Sequence, residues 1–91
     1  MTQNKLLIGS LSNDLYRVAA LSHCGSLKAA NKFYLSAQNW LKGLQTQENK
    51  PYIEKIIQNL QKDTFKLGDL EQAEKYLTYS IVLANYSMRI Q

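Results

Sequence analysis

The sequence predicts an all-α domain of four helices folded as two antiparallel hairpins. Three observations predict it. Apolar residues recur at spacings of three and four through most of the 91 residues, the period of helices with a buried face. Isolated breakers, Gly25, Pro51 and Gly68, stand where those stretches end or begin. A motif also occurs twice, 43 residues apart. Gly25-Ser26-Leu27-Lys28-Ala29-Ala30-Asn31-Lys32-Phe33 aligns with Gly68-Asp69-Leu70-Glu71-Gln72-Ala73-Glu74-Lys75-Tyr76, and each copy sets a glycine turn and an N-cap ahead of an amphipathic helix.

The first helix is expected from about Asn4 to His23. Projected at about 100° per residue, Leu7, Ile8, Leu11, Leu15, Val18, Ala19 and Ser22 share one side, with Asn13, Asp14 and Arg17 on the other. Gly25 is the natural residue to end it, and Ser26 the cap that begins the second helix, about Leu27 to Leu44. That helix turns Leu27, Ala30, Phe33, Tyr34, Ala37, Trp40, Leu41 and Leu44 to one side and Lys28, Lys32, Asn39 and Lys42 to the other. Hairpin 1 thus covers about 4–44, residues 45–50 are a polar linker, and hairpin 2 covers about 51–90, all within one domain, 1–91.

Pro51 suits the first position of the third helix, where its missing amide hydrogen has no intrahelical acceptor. A seam of Ile53, Ile56, Ile57, Leu60, Thr64 and Leu67 predicts that this helix reaches Leu67, with Gly68 ending it. Asp69 then caps the fourth helix, and Gln72, three positions on, completes a capping box. No breaker follows before about Ile90.

The fourth helix carries two seams. Leu70, Ala73, Leu77, Ser80, Ala84 and Ser87 recur at helical spacing with side chains small enough for another helix to approach closely. Tyr76, Tyr79, Leu83, Tyr86 and Ile90 form a second stripe around the helix. One seam is enough to join a bundle, so the second is the candidate partner-binding surface.

The net charge of +4 is one-sided. Residues 1 to 46 hold Lys5, Arg17, Lys28, Lys32 and Lys42 against Asp14 alone, whereas the remainder balances six of each sign. Lys28, Lys32 and Lys42 form a candidate anion-binding stripe, with Leu35 among them. Cys24 is the only cysteine, which rules out an intrachain disulfide and fits a reducing compartment. The apolar run near the start, Leu6 to Leu11, is too short for a signal sequence or a membrane span, so a cytoplasmic location without membrane contact is expected.

Chemistry is sparse. His23 and Cys24 are adjacent, but the chain has no other histidine or cysteine with which to complete a zinc site. The acids Asp14, Glu48, Glu54, Asp63, Asp69, Glu71 and Glu74 fall on expected polar arcs, caps or the linker, and no phosphate-binding loop or nucleophile elbow is present. No catalytic residue, cofactor or metal is expected.

Leu67-Gly68-Asp69-Leu70-Glu71-Gln72-Ala73-Glu74-Lys75-Tyr76-Leu77 resembles the turn and second helix of a tetratricopeptide repeat, with Gly68, Asp69, Ala73, Leu77 and Ser80 at the motif positions. Gly25, Ala30, Tyr34 and Ala37 match the same pattern in the first copy. Gln61 stands where the family's first helix carries glycine, and Asp14, Arg17 and Val18 depart from that helix altogether. A tetratricopeptide-like pair of hairpins and a plain four-helix bundle are both open on these grounds. The resemblance implies protein or peptide binding on helical surfaces, without catalysis.

The functional expectation is a small non-catalytic interaction module that binds a protein partner or itself as a homodimer, through its C-terminal helix. The alternative is a basic nucleic-acid-binding regulator using the first two helices, in which affinity would fall steeply with salt.

Overall fold

The computed structural model describes residues 3–44, 49–66 and 68–89. These fold into α1 (Gln3–His23), α2 (Leu27–Leu44), α3 (Pro51–Lys62) and α4 (Leu70–Arg89), an all-α bundle. Residues 45–48 of the expected linker, with Leu67 and Ile90, lie outside the described residues. The bundle measures 36 × 22 × 19 Å. A helix of twenty residues is about 30 Å long, so the helices run along the long axis and stand two by two in cross-section.

α1 is the central element, packed along α4 on one side and α2 on the other, and α2 in turn meets α3. The α1–α4 contact is built from small residues. Gly9 faces Ser87, and the Ser12 hydroxyl, buried between the helices, donates to the Ser80 carbonyl at 2.8 Å. The hydroxyls of Ser80 and Ser87 donate to the carbonyls of Leu77 and Ala84 within their own helix. The polar atoms of this seam are therefore satisfied in place, and two backbones can approach without trapping an unpaired group.

α3 joins mainly through long side chains. Ile53, Ile56, Ile57 and Leu60 are buried in the shared core. Its link to α4 is aromatic and polar: the Tyr52 ring stands edge-on to Tyr86 with centroids 5.9 Å apart, and the Asn59 side-chain amide donates to the Tyr79 hydroxyl at 3.3 Å. First and last helices are thus neighbours, which closes the four into a bundle.

Both glycine turns have the left-handed backbone that the duplicated motif implies, at φ +79° for Gly25 and +83° for Gly68. After α1, the Ser26 amide donates to the Leu21 carbonyl and the Gly25 amide to the Ser22 carbonyl, the paired bonds of a Schellman turn. Before α4, the Asp69 carboxylate accepts from the Gln72 amide at 3.1 Å. Gly68 also lies beside the Leu27 side chain, so the two motif copies meet at one end of the bundle.

α3 is shorter than its seam predicts. It stops at Lys62 because Asp63 turns extended, at φ −72° and ψ 137°, and Thr64, expected on the buried seam, is exposed in the connection. The cause is Phe65, which lies off that seam in the sequence. Its ring stacks on Tyr34 of α2 at 4.8 Å and faces Tyr76 of α4 at 6.3 Å. Continuing the helix would carry Phe65 away from both rings. The Gln72 side chain secures the new path by accepting from the Lys66 amide at 2.8 Å and donating to the Thr64 carbonyl at 2.9 Å. The capping box is accordingly modified, with Gln72 reaching further back than Asp69.

Asp14 also differs from its expected place on a solvated arc. It is buried, and its carboxylate accepts from the Trp40 indole at 2.7 Å, tying α1 to α2. One turn on, the Arg17 guanidinium lies 5.4 Å from the centre of the Phe33 ring. The α1 arc nearest α2 is therefore polar yet part of the helix contact, a combination that hydropathy alone classes as solvent-facing.

Two stability effects follow. An alanine side chain at Gly25 would meet nothing within 4 Å, so Gly25→Ala should cost only its left-handed backbone, about 1 kcal/mol in urea unfolding. Trp40→Phe keeps an aromatic ring but strands the Asp14 carboxylate; the same titration should show a loss of about 1–3 kcal/mol, reduced when Asp14→Asn is added.

Candidate interaction surface

α4 presents three arcs to its surroundings. The first, with Ala73, Ser80 and Ser87, packs on α1. The second faces the core: Tyr76 and Leu83 are fully buried, Tyr86 nearly so, and Tyr79 is half-buried with its hydroxyl bonded to Asn59. The tyrosine stripe expected to face a partner is therefore an inward face among the described residues, and Ile90 falls outside them. The physical reason is that a helix packed on α1 and also reached by α3 must bury two arcs, and the large aromatics fill the wider gap to α3.

The third arc looks outward. Leu70, Ile81 and Met88 are exposed at 49%, 55% and 78%, and Leu77 and Ala84 beside them are half-buried. With Glu74 these positions are spaced 4-3-4-3-4, the alternation of a coiled-coil seam, over the length of the helix. The sequence pattern groups Leu70, Leu77 and Ala84 with Ala73, Ser80 and Ser87 in the seam for close helix approach and leaves Ile81 and Met88 unassigned. The heptad spacing that links all five was present in the chain. Only the position of α1 shows that this arc is left uncovered.

Tyr16 lies one turn beyond Ser12, the residue bonded to α4, and is itself 57% exposed. An exposed aromatic ring thus stands on α1 one turn from its contact with α4.

The candidate anion-binding lysines are not gathered into one place. Lys28 and Lys32 line an open concavity with Gly25, Ser26, Leu27 and Ala29 at the start of α2. Lys42 lies almost three turns further along the same helix. Leu35, between them, is exposed. A second cleft, between the α3–α4 connection and the start of α4, alternates Lys62, Lys66 and Lys75 with Asp63, Asp69 and Glu71, so its field has no single sign. Lys75 and Asp63 form an ion pair there at 3.7 Å.

Cys24 is exposed at the α1–α2 turn. Among the described residues, no group of three or more histidine, cysteine, aspartate or glutamate side chains is placed to hold a metal ion. No described helix is long and apolar enough to cross a membrane.

The Tyr76 hydroxyl is buried without a hydrogen-bond partner. Burial above all, with Tyr34, Asp63 and Tyr79 nearby, holds its ionisation well above the ordinary tyrosine range near 10. Compared with protein-family models, curated proteins and solved structures, the chain matches none in any of the three.

Tyr76→Phe should raise stability by about 1 kcal/mol in urea unfolding, because it deletes an unpaired buried hydroxyl and keeps the ring. A raised ionisation in the folded state stabilises the neutral form, so this contribution is complete below pH of about 10 and declines as pH rises further. The alkaline decline in stability should correspondingly be shallower in Tyr76→Phe than in the natural chain.

Proposed function

We propose that this chain is a small non-catalytic protein–protein interaction module that associates with itself through α4. The observation that carries the reading is the outward stripe of Leu70, Leu77, Ile81, Ala84 and Met88. The core does not require it. Tyr76, Leu83 and Tyr86 already supply the inward face of α4, and Ser80 and Ser87 supply its contact with α1. An exposed leucine, isoleucine and methionine aligned along one helix is apolar surface from which a partner would exclude water.

The size of the molecule supports the same reading. Its accessible surface is 5679 Å². A standard interface takes about 800 Å² from each partner, roughly one-seventh of that surface, which is within reach of one helix and the exposed Tyr16. A chain of 91 residues buries a modest fraction of its surface on folding, and association adds to it.

Light scattering across a concentration series tests the proposal. The natural chain should approach twice its 10.4 kDa mass as concentration rises. Ile81→Glu combined with Met88→Glu should hold it at the monomer mass with unchanged helicity by circular dichroism, whereas Leu35→Glu on α2 should leave association intact. A natural chain that stays monomeric throughout the series would refute self-association.

A further inference from the structure

We infer that the partner on α4 is a second copy of this chain docked antiparallel, with one defined register. This rests on the self-association proposed above and adds its geometry. In an antiparallel helix pair, each a position of a heptad seam faces a d position of the other helix. Spacing makes Leu70, Leu77 and Ala84 one class, and Glu74, Ile81 and Met88 the other. A single two-fold alignment pairs all six: Leu70 with Met88 of the partner subunit, Leu77 with the partner's Ile81, and Ala84 with the partner's Glu74. Sliding by one heptad in either direction loses an outer pair. The same patch then meets itself, as a two-fold dimer requires, and the contact closes without leaving a face for a third chain.

Charge selects the same arrangement. Glu71 and Arg89 are eighteen residues apart, five full turns, so they lie on one flank of α4 at opposite ends. An antiparallel partner brings the partner's Arg89 beside Glu71, and symmetry repeats the pair at the other end. A parallel two-fold partner would instead set Glu74 against the partner's Glu74 within the seam, one like-charge contact, and would carry Glu71 and Arg89 to opposite flanks from the partner's copies, so the Glu71–Arg89 pairs would be lost. Glu74 is the single charged residue in the seam. The antiparallel register gives it the smallest side chain of the facing seam, that of Ala84, which leaves its carboxylate room to reach water. One polar position within an apolar seam is a known device for specifying register and orientation at some cost in stability.

Cross-linking tests the geometry separately from association. In a Cys24→Ser background, Leu70→Cys and Met88→Cys chains are prepared, checked by light scattering and oxidised singly or as an equal mixture. The mixture should give a disulfide-linked dimer. Each variant alone should not, because like positions lie about 27 Å apart along an antiparallel pair, far beyond disulfide reach. In the natural background, Glu71→Lys should weaken dimerisation about two- to fivefold, and adding Arg89→Glu should restore it. Linkage of Leu70→Cys with itself would overturn the orientation, as would indifference to Glu71→Lys. An uncrosslinked mixture that still scatters as a dimer would overturn the register while leaving self-association standing. A natural chain monomeric at every concentration would overturn both.

Discussion

The close approach of α1 to α4 is the constraint on which the rest of the structure depends. It rests on small side chains, Gly9 against Ser87, and on one buried bond from Ser12 to the Ser80 carbonyl. Because serine hydroxyls on α4 bond within their own helix, the seam is polar in composition yet fully satisfied. Once that arc is taken by α1, the other faces of α4 have no freedom. The tyrosines must turn to the core and meet α3, and Leu70, Ile81 and Met88 must face out.

The remaining contacts adapt to this frame. α3 stands far enough from its neighbours that isoleucines and aromatic rings bridge the gap. At one end that gap is filled by Phe65, stacked against Tyr34 and facing Tyr76, and the chain leaves its helix early to supply the ring. Gln72 offsets the backbone hydrogen bonds lost by that departure, holding Thr64 and Lys66 from the first turn of α4. On the opposite side of α1, Asp14 and Trp40 fix the rotation of α2 through a directional bond that apolar packing alone does not provide.

These contacts explain why a functional reading centres on α4. Two of its arcs are covered, one by close helix packing and one by the core, and the third, with heptad spacing, faces solvent. The candidate anion-binding lysines, by contrast, are spread along α2 and divided between its two ends. A concavity at the start of α2 collects Lys28 and Lys32 but leaves Lys42 behind. Residues that form one stripe in projection can stand too far apart along the axis to act on one small ligand.

Much of the fold was legible in the chain. Helical periodicity, Gly25, Pro51 and Gly68 located four helices, and the extents of α1 and α2 and the start of α4 agree with the structure to within about a residue, because propensity, capping and turn chemistry are local. The small residues of α4 identified a site for close helix approach for the same reason. Three features were not local. The end of α3 depends on where Tyr34 and Tyr76 place their rings, the burial of Asp14 depends on Trp40 twenty-six residues away, and the side of α4 that faces solvent depends on which seam α1 takes. The sequence by itself determined that α4 has more apolar surface than one neighbour can cover. Only the tertiary structure decided which stripe is the surplus, because a seam is defined as buried or exposed by its partner and not by its own residues.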